Sequence, residues 1–114
     1  MIPTREQLEL AAKAAGLTLK DCTCKKELKC VETNKHWNPT TSKSDSFDLM
    51  VACGIEPMFH DTAVSALSGS DFHTEPVYYK DHNNEKGLAT MWAVFLCAVE
   101  IGRASVCVVD KDSK

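Results

Sequence analysis

The chain has 114 residues, 44% of them hydrophobic and 25% charged, and a formal net charge of −3. That length suits one domain, and a chain of this size buries roughly two-thirds of its unfolded surface, enough to fold without disulfides or a metal. The acidic balance argues against broad nucleic-acid binding, which needs a basic surface, and the composition excludes collagen-like, mucin-like and wholly disordered chains.

Met1 to Gln7 lacks the basic start and apolar run of a signal peptide. The longest apolar run, 88–99, is shorter than a bilayer span. A cytoplasmic location with no membrane partner is therefore expected. The six cysteines are then reduced, and Cys53, Cys97 and Cys107, which lie in apolar runs, read as buried thiols.

In chain order, Thr4-x-x-Gln7 forms a capping box, and Leu8, Ala11, Ala12 and Ala15 share a face. They predict a helix over 4–15, stopped at Gly16. Residues 17–33 shift to rough alternation and predict a β-hairpin that turns at Lys25-Lys26-Glu27 and ends at Asn34-Lys35-His36. Trp37 to Ser44 is a loop by composition. Ser44 or Asp45 then caps a second helix over 45–53, with Phe47, Met50 and Val51 inward. Gly54 ends that helix, and Ile55 folds back on it. Short strands are expected at 57–60, 63–67 and 72–79, the last broken by Pro76, which marks an edge or a strand start. Asn84 caps a third helix over 85–101, apolar nearly all round and stopped at Gly102. Ala104 to Val109 reads as a further strand or an ordered tail. The expected organisation is one domain over 1–109 and a frayed tail over 110–114. The fold class is α+β: a small, mostly antiparallel sheet packed by three helices, with the C-terminal helix across its centre.

Five groups of residues are candidates for chemistry. Cys22, Cys24, Cys30 and His36 have the ligand types of a zinc site but poor spacing, so reduced cysteines on a hairpin face are the favoured alternative and no metal or other cofactor is expected. His36, His60, His73 and His82, with Asp61 beside His60, offer acid–base groups. No nucleophile elbow, zinc-protease helix or phosphate-cradling glycine loop accompanies them. Trp37, Asn38, Thr40, Thr41 and Lys43 put an indole next to polar groups, a combination that can stack a base and hold a phosphate; packing of Trp37 on the sheet edge is the favoured alternative. Lys20, Lys25, Lys26 and Lys29, with Lys35 nearby, read as a solvated face diluted by acidic neighbours, with a weak anion site as the sharper alternative. Met91, Trp92 and Phe95 are candidates for a patch that forms a homodimer or grips a host protein, although residues at such helical spacing are more often plain core.

Three segments also carry a resemblance: Leu10 to Leu17, Trp37-Asn38-Pro39 with Asp45 and Leu49 downstream, and Ala98 to Arg103. Together they resemble a group of small uncharacterised proteins of tailed phages and prophages, with a Trp-Asn-Pro loop and a terminal helix ending Glu-Ile-Gly-Arg. The order of elements is similar to the phage α/β/α-sandwich domain. Ser42-Lys43-Ser44 stands where the group has an acidic, glycine-containing stretch. The resemblance implies a phage or prophage protein in the cytoplasm of a bacterial host. With no catalytic signature, the first expectation is a non-catalytic accessory protein that binds and modulates a host protein, such as a component of antiviral defence. The second is a small-molecule binder that sequesters a nucleotide immune signal, with Trp37 stacking and Lys43 or Arg103 on the phosphate. The third is a zinc-binding module or small enzyme.

Overall fold

The computed structural model describes residues 2–21, 28–69 and 71–112. Helix α1 spans Arg5–Ala14. Both arms of its capping box form: Thr4 Oγ1 accepts from the Gln7 N–H at 3.1 Å, and Gln7 Oε1 accepts from the Thr4 N–H at 3.0 Å. Its buried face, Ala11 and Ala12, is made of small residues and packs on the C-terminal helix.

That helix, α3, spans Lys86–Asp112, 27 residues in all. Gly102 does not stop it. A Cβ at this position would fall on the Leu10 carbonyl of α1, so the missing side chain is what lets the two backbones cross closely. A glycine inside a helix costs about 1 kcal/mol, too little to end one that is packed by its neighbours. The stretch expected to be a strand or tail, 104–109, is therefore helical. Asn84 does not have a cap's extended backbone: it lies in the preceding turn at φ 61°. Ala89, Ala93, Val94, Phe95, Cys97 and Ala98 are each at most 1% exposed. The Lys86–Ala104 stretch is long and apolar enough to cross a membrane by length and composition alone, contrary to the expectation from the shorter apolar run. In this fold it is the core helix, enclosed by α1, a second short helix and a sheet.

The strands form two antiparallel sheets, not the single expected one. In the first, β1 (Leu19–Asp21) pairs with β2 (Leu28–Cys30), with Leu19 opposite Cys30 and Asp21 opposite Leu28. The predicted turn at Lys25-Lys26-Glu27 lies outside the described residues. A further strand, β3 (Lys35–His36), extends this sheet where the hairpin was expected to end. Cys30 and Trp37 tie the sheet to the core.

The second sheet holds β4 (Glu56–Phe59), β5 (Ala63–Ser68), β6 (Phe72–His73) and β7 (Val77–Tyr78). Strand β5 is central; β4 flanks one side, and β6 and β7 share the other. Leu67 faces His73 and Val64 faces Val77, so the register slips by one residue between β6 and β7, with one extra residue in the 74–76 segment that contains Pro76. Within it, Thr74 Oγ1 accepts from the Ala66 N–H at 2.9 Å and the Thr74 N–H reaches the Ala66 carbonyl at 2.8 Å. Val64 and Ala66 of β5 lie in the core, against α3. A 3-10 turn, Tyr79–His82, leads into that helix.

Helix α2 spans Lys43–Cys53 and starts earlier than expected: Ser42 is its cap and accepts from the Asp45 N–H at 3.3 Å. The inward face differs too. Phe47 is 59% and Val51 63% exposed, whereas Ser46 and Leu49 are buried, with Met50 and Cys53 packed on the core. Those four residues sit at i, i+3, i+4 and i+7, a helical stripe hidden from a hydrophobicity count by the serine. Gly54 takes φ 62°, and the Ile55 N–H closes onto the Met50 carbonyl at 2.9 Å.

Candidate functional site

The Trp37–Ser42 loop is held by its own polar groups. Asn38 Oδ1 accepts from the Thr40 N–H at 2.9 Å and from the Thr40 hydroxyl at 2.6 Å. The Asn38 carbonyl accepts from the Ser42 N–H at 2.9 Å, and the Asn38 N–H donates to Asp45 Oδ2 at 3.0 Å. At its start the Trp37 N–H donates to the Leu28 carbonyl at 2.9 Å, which anchors the loop to β2. Pro39 is fully buried beneath it. Asparagine suits this position because its short amide satisfies backbone two residues on.

Between this loop, β3, α2 and the residues that follow α1 lies a cleft of about 520 Å³. Leu17, Cys30, Trp37 and Leu49 supply its apolar walls, and Asn38, Thr41, Ser42, Asp45 and Asp48 its polar ones. Lys35 and His36 contribute from β3. The size falls in the range of about 300–1,000 Å³ usual for small-molecule sites, and so does the pattern of apolar surface with a few placed polar groups. Asp45 lies in the first turn of α2, where a carboxylate is favoured by the helix dipole. Asp48 is exposed and makes no ion pair or hydrogen bond among the described residues.

Trp37, Asn38 and Thr41 of the expected ligand set thus line one cleft. Trp37 is 5% exposed, so its indole is a wall of the cleft and not a free stacking platform. Thr40 is spent within the loop. Lys43 is exposed at the start of α2 and is not among the lining residues. Arg103 is not brought to the loop: it lies on α3, its guanidinium 2.8 Å from Glu100 in an exposed pair, beside a separate shallow depression with Asp71 and His73. The expected phosphate cations are therefore absent from the cleft.

Met91, Trp92 and Phe95 do not form a surface patch. They are 6%, 9% and 0% exposed, because the second sheet and the other helices cover α3 on its several sides. Trp92 packs its ring against Phe95, with centroids 5.5 Å apart, and against His82 at 6.1 Å.

Cys22 and Cys24 lie outside the described residues. Cys30 is buried and its thiol donates to Glu32 Oε1 at 3.3 Å. Lys35 stands opposite Cys30 across the ladder, so the next residue, His36, belongs to the other face of the strand. Among the described residues no group of three or more His, Cys, Asp and Glu is placed to hold a metal ion. The histidines sit on separate elements: His36 on β3, His60 in the β4–β5 turn, His73 on β6 and His82 in the 3-10 turn. His60 serves through its carbonyl, which accepts from the Tyr79 hydroxyl at 3.0 Å. Burial pushes the His82 imidazole below its ordinary pKa, and its Nε2 is enclosed without a hydrogen-bond partner among the described residues. Burial, reinforced by Cys53 and Glu100, pushes the Cys97 thiol up to about 11, and burial raises Cys53 as well. Both are held as thiols, the inert form.

Sequence reasoning missed Asp45 and Asp48 as walls of the site. The signal was there: an i, i+3 acidic pair on one helix face, behind a Ser-x-x-Asp start that is sufficiently explained by capping. No protein-family model, no curated protein and no solved structure matches the chain.

Proposed function

We propose that the chain is a non-catalytic binding protein whose recognition site is the cleft beneath the Trp37–Ser42 loop. The observation that carries this reading is the cleft itself: about 520 Å³, apolar at Leu17, Trp37 and Leu49, and rimmed by a loop whose polar groups are already fixed by hydrogen bonds. A preformed wall of this kind loses little conformational freedom on binding. The reading fits the accessory role that the phage resemblance implies, with a component of the host as the molecule captured. A nucleotide finds an apolar wall here but neither Lys43 nor Arg103 for its phosphate, so the nucleotide-sequestering alternative has less support.

The test is a fragment screen by amide NMR. Hits should move the amide signals of residues 37–49 together with those near Leu17. The variant Ala52→Phe places a ring at the mouth of the cleft from an exposed helix position and should abolish those shifts without unfolding the protein. A screen whose hits all move other surfaces, or hits untouched by Ala52→Phe, would remove the cleft as the recognition site.

A further inference from the structure

We infer that the cleft selects a small amphiphilic ligand: an apolar body carrying a protonated amine, the amine seated against Asp45 and Asp48. This rests on the cleft being the recognition site and adds the chemical class of what fills it.

The inference comes from how the charges are distributed inside one cavity. Asp45 and Asp48 are three residues apart on α2 and both line the cleft. One oxygen of Asp45 accepts from the Asn38 N–H at 3.0 Å, which fixes the carboxylate and leaves its other oxygen without a partner among the described residues. Asp48 has no partner among the described residues. Lys35, a cation of the same cleft, stands on β3 and pairs with neither carboxylate. Among the described residues, no ion pair to either carboxylate is formed. A carboxylate near low-dielectric walls attracts a cation more strongly than one in open water.

Anions meet the opposite situation. The start of a helix is a common anion site. Here, however, Ser42 already caps it and the Asp45 carboxylate occupies its positive end. A phosphate or carboxylate would have to approach two negative groups to reach it. The apolar side, with Trp37 at 5% exposure and Leu49 at 1%, requires more than a bare ammonium ion, since only a ligand with a hydrophobic body fills it.

The experiment is a chemical-shift titration with four probes of nearly one size or of known class: phenethylamine, its neutral counterpart 2-phenylethanol, its anionic counterpart phenylacetate, and AMP. Phenethylamine should move the amides of 37–49 and bind about tenfold or more tighter than 2-phenylethanol, the gain of one charge-assisted hydrogen bond. Phenylacetate and AMP should bind more weakly than the alcohol. Asp48→Asn, at an exposed position with no partner to lose among the described residues, should reduce the preference for the amine over 2-phenylethanol severalfold, the residual preference being that of Asp45. Anionic probes that bind as tightly as the amine, or a preference undiminished by Asp48→Asn, would overturn the amine class while the cleft stands. Fragments that move the cleft amides when phenethylamine does not would do the same. If neither fragments nor any of the four probes move those amides, the recognition site and its ligand class fall together.

Discussion

The two sheets of this protein are built from similarly short strands, yet they do different work. In the second sheet, β5 contributes Val64 and Ala66, both 0% exposed, to the core against α3, and helix and sheet share one core. In the first sheet β1 and β3 are largely exposed, and the sheet reaches the core mainly through Cys30 of β2 and through Trp37, which follows β3. The cleft opens beside this second-rank element. What the difference teaches is a division of labour: the region with redundant packing holds the fold, and the thinly attached region carries the concave surface. Binding sites commonly sit on connecting segments held by a rigid scaffold.

The division can be broken most directly at Phe95. Phe95→Ala should cost about 3–5 kcal/mol in chemical denaturation, because a fully buried ring leaves a cavity between helix and sheet. A loss below about 1 kcal/mol, the size of one buried methylene, would mean that α3 is not the shared core. Gly102→Ala comes next and is informative by its sign. Helix propensity alone predicts a gain of about 1 kcal/mol. The close crossing with Leu10 predicts instead a loss of about 1–3 kcal/mol, which we expect in thermal unfolding.

On the other side of the comparison, Asp45→Ala removes the acceptor of the Asn38 N–H and the acidic residue in the first turn of α2. We expect about 1 kcal/mol of destabilisation. Hydrogen exchange should quicken in the 38–46 amides and stay unchanged in β5; equal quickening in both would erase the distinction between the regions. The smallest effect belongs to His82. Its folded pKa lies below the ordinary 6.5 because of burial, so the unfolded chain takes up the proton first. Its contribution to stability is therefore intact above pH 6.5 and declines as pH falls below that value, levelling off under the folded pKa. Urea midpoints at pH 7.5 and 5.5 should differ less in His82→Phe than in the parent.

Much of this architecture was legible because it is local. The Thr4–Gln7 box, the Gly54 stop with Ile55 behind it, and the strands at 56–59 and 63–68 each follow from a few neighbouring residues. What stayed hidden depends on distant partners. The choice of two sheets over one is made by pairing across the fold, and β3 has only two residues with which to announce itself. Gly102 looks like a stop in sequence, and only the crossing with Leu10 explains why it is not. Met91, Trp92 and Phe95 look like a patch until the covering sheet is in place. At the site, Trp37, Asn38 and Thr41 were readable from their juxtaposition in a loop. Arg103 was not separable from them in sequence, because its distance from the loop is a property of how α3 is laid down.

The prolines of the second sheet have one more consequence. His60 donates to the Ala63 carbonyl, so along β4 the amide positions alternate and the missing N–H of Pro57 falls on the side turned away from β5. Pro76 interrupts the opposite flank between β6 and β7. Each open border of this sheet therefore carries a gap in its row of donors, which deters a neighbouring chain from adding a strand. If two copies of the protein associate, this sheet is a poor place for them to do so by backbone pairing.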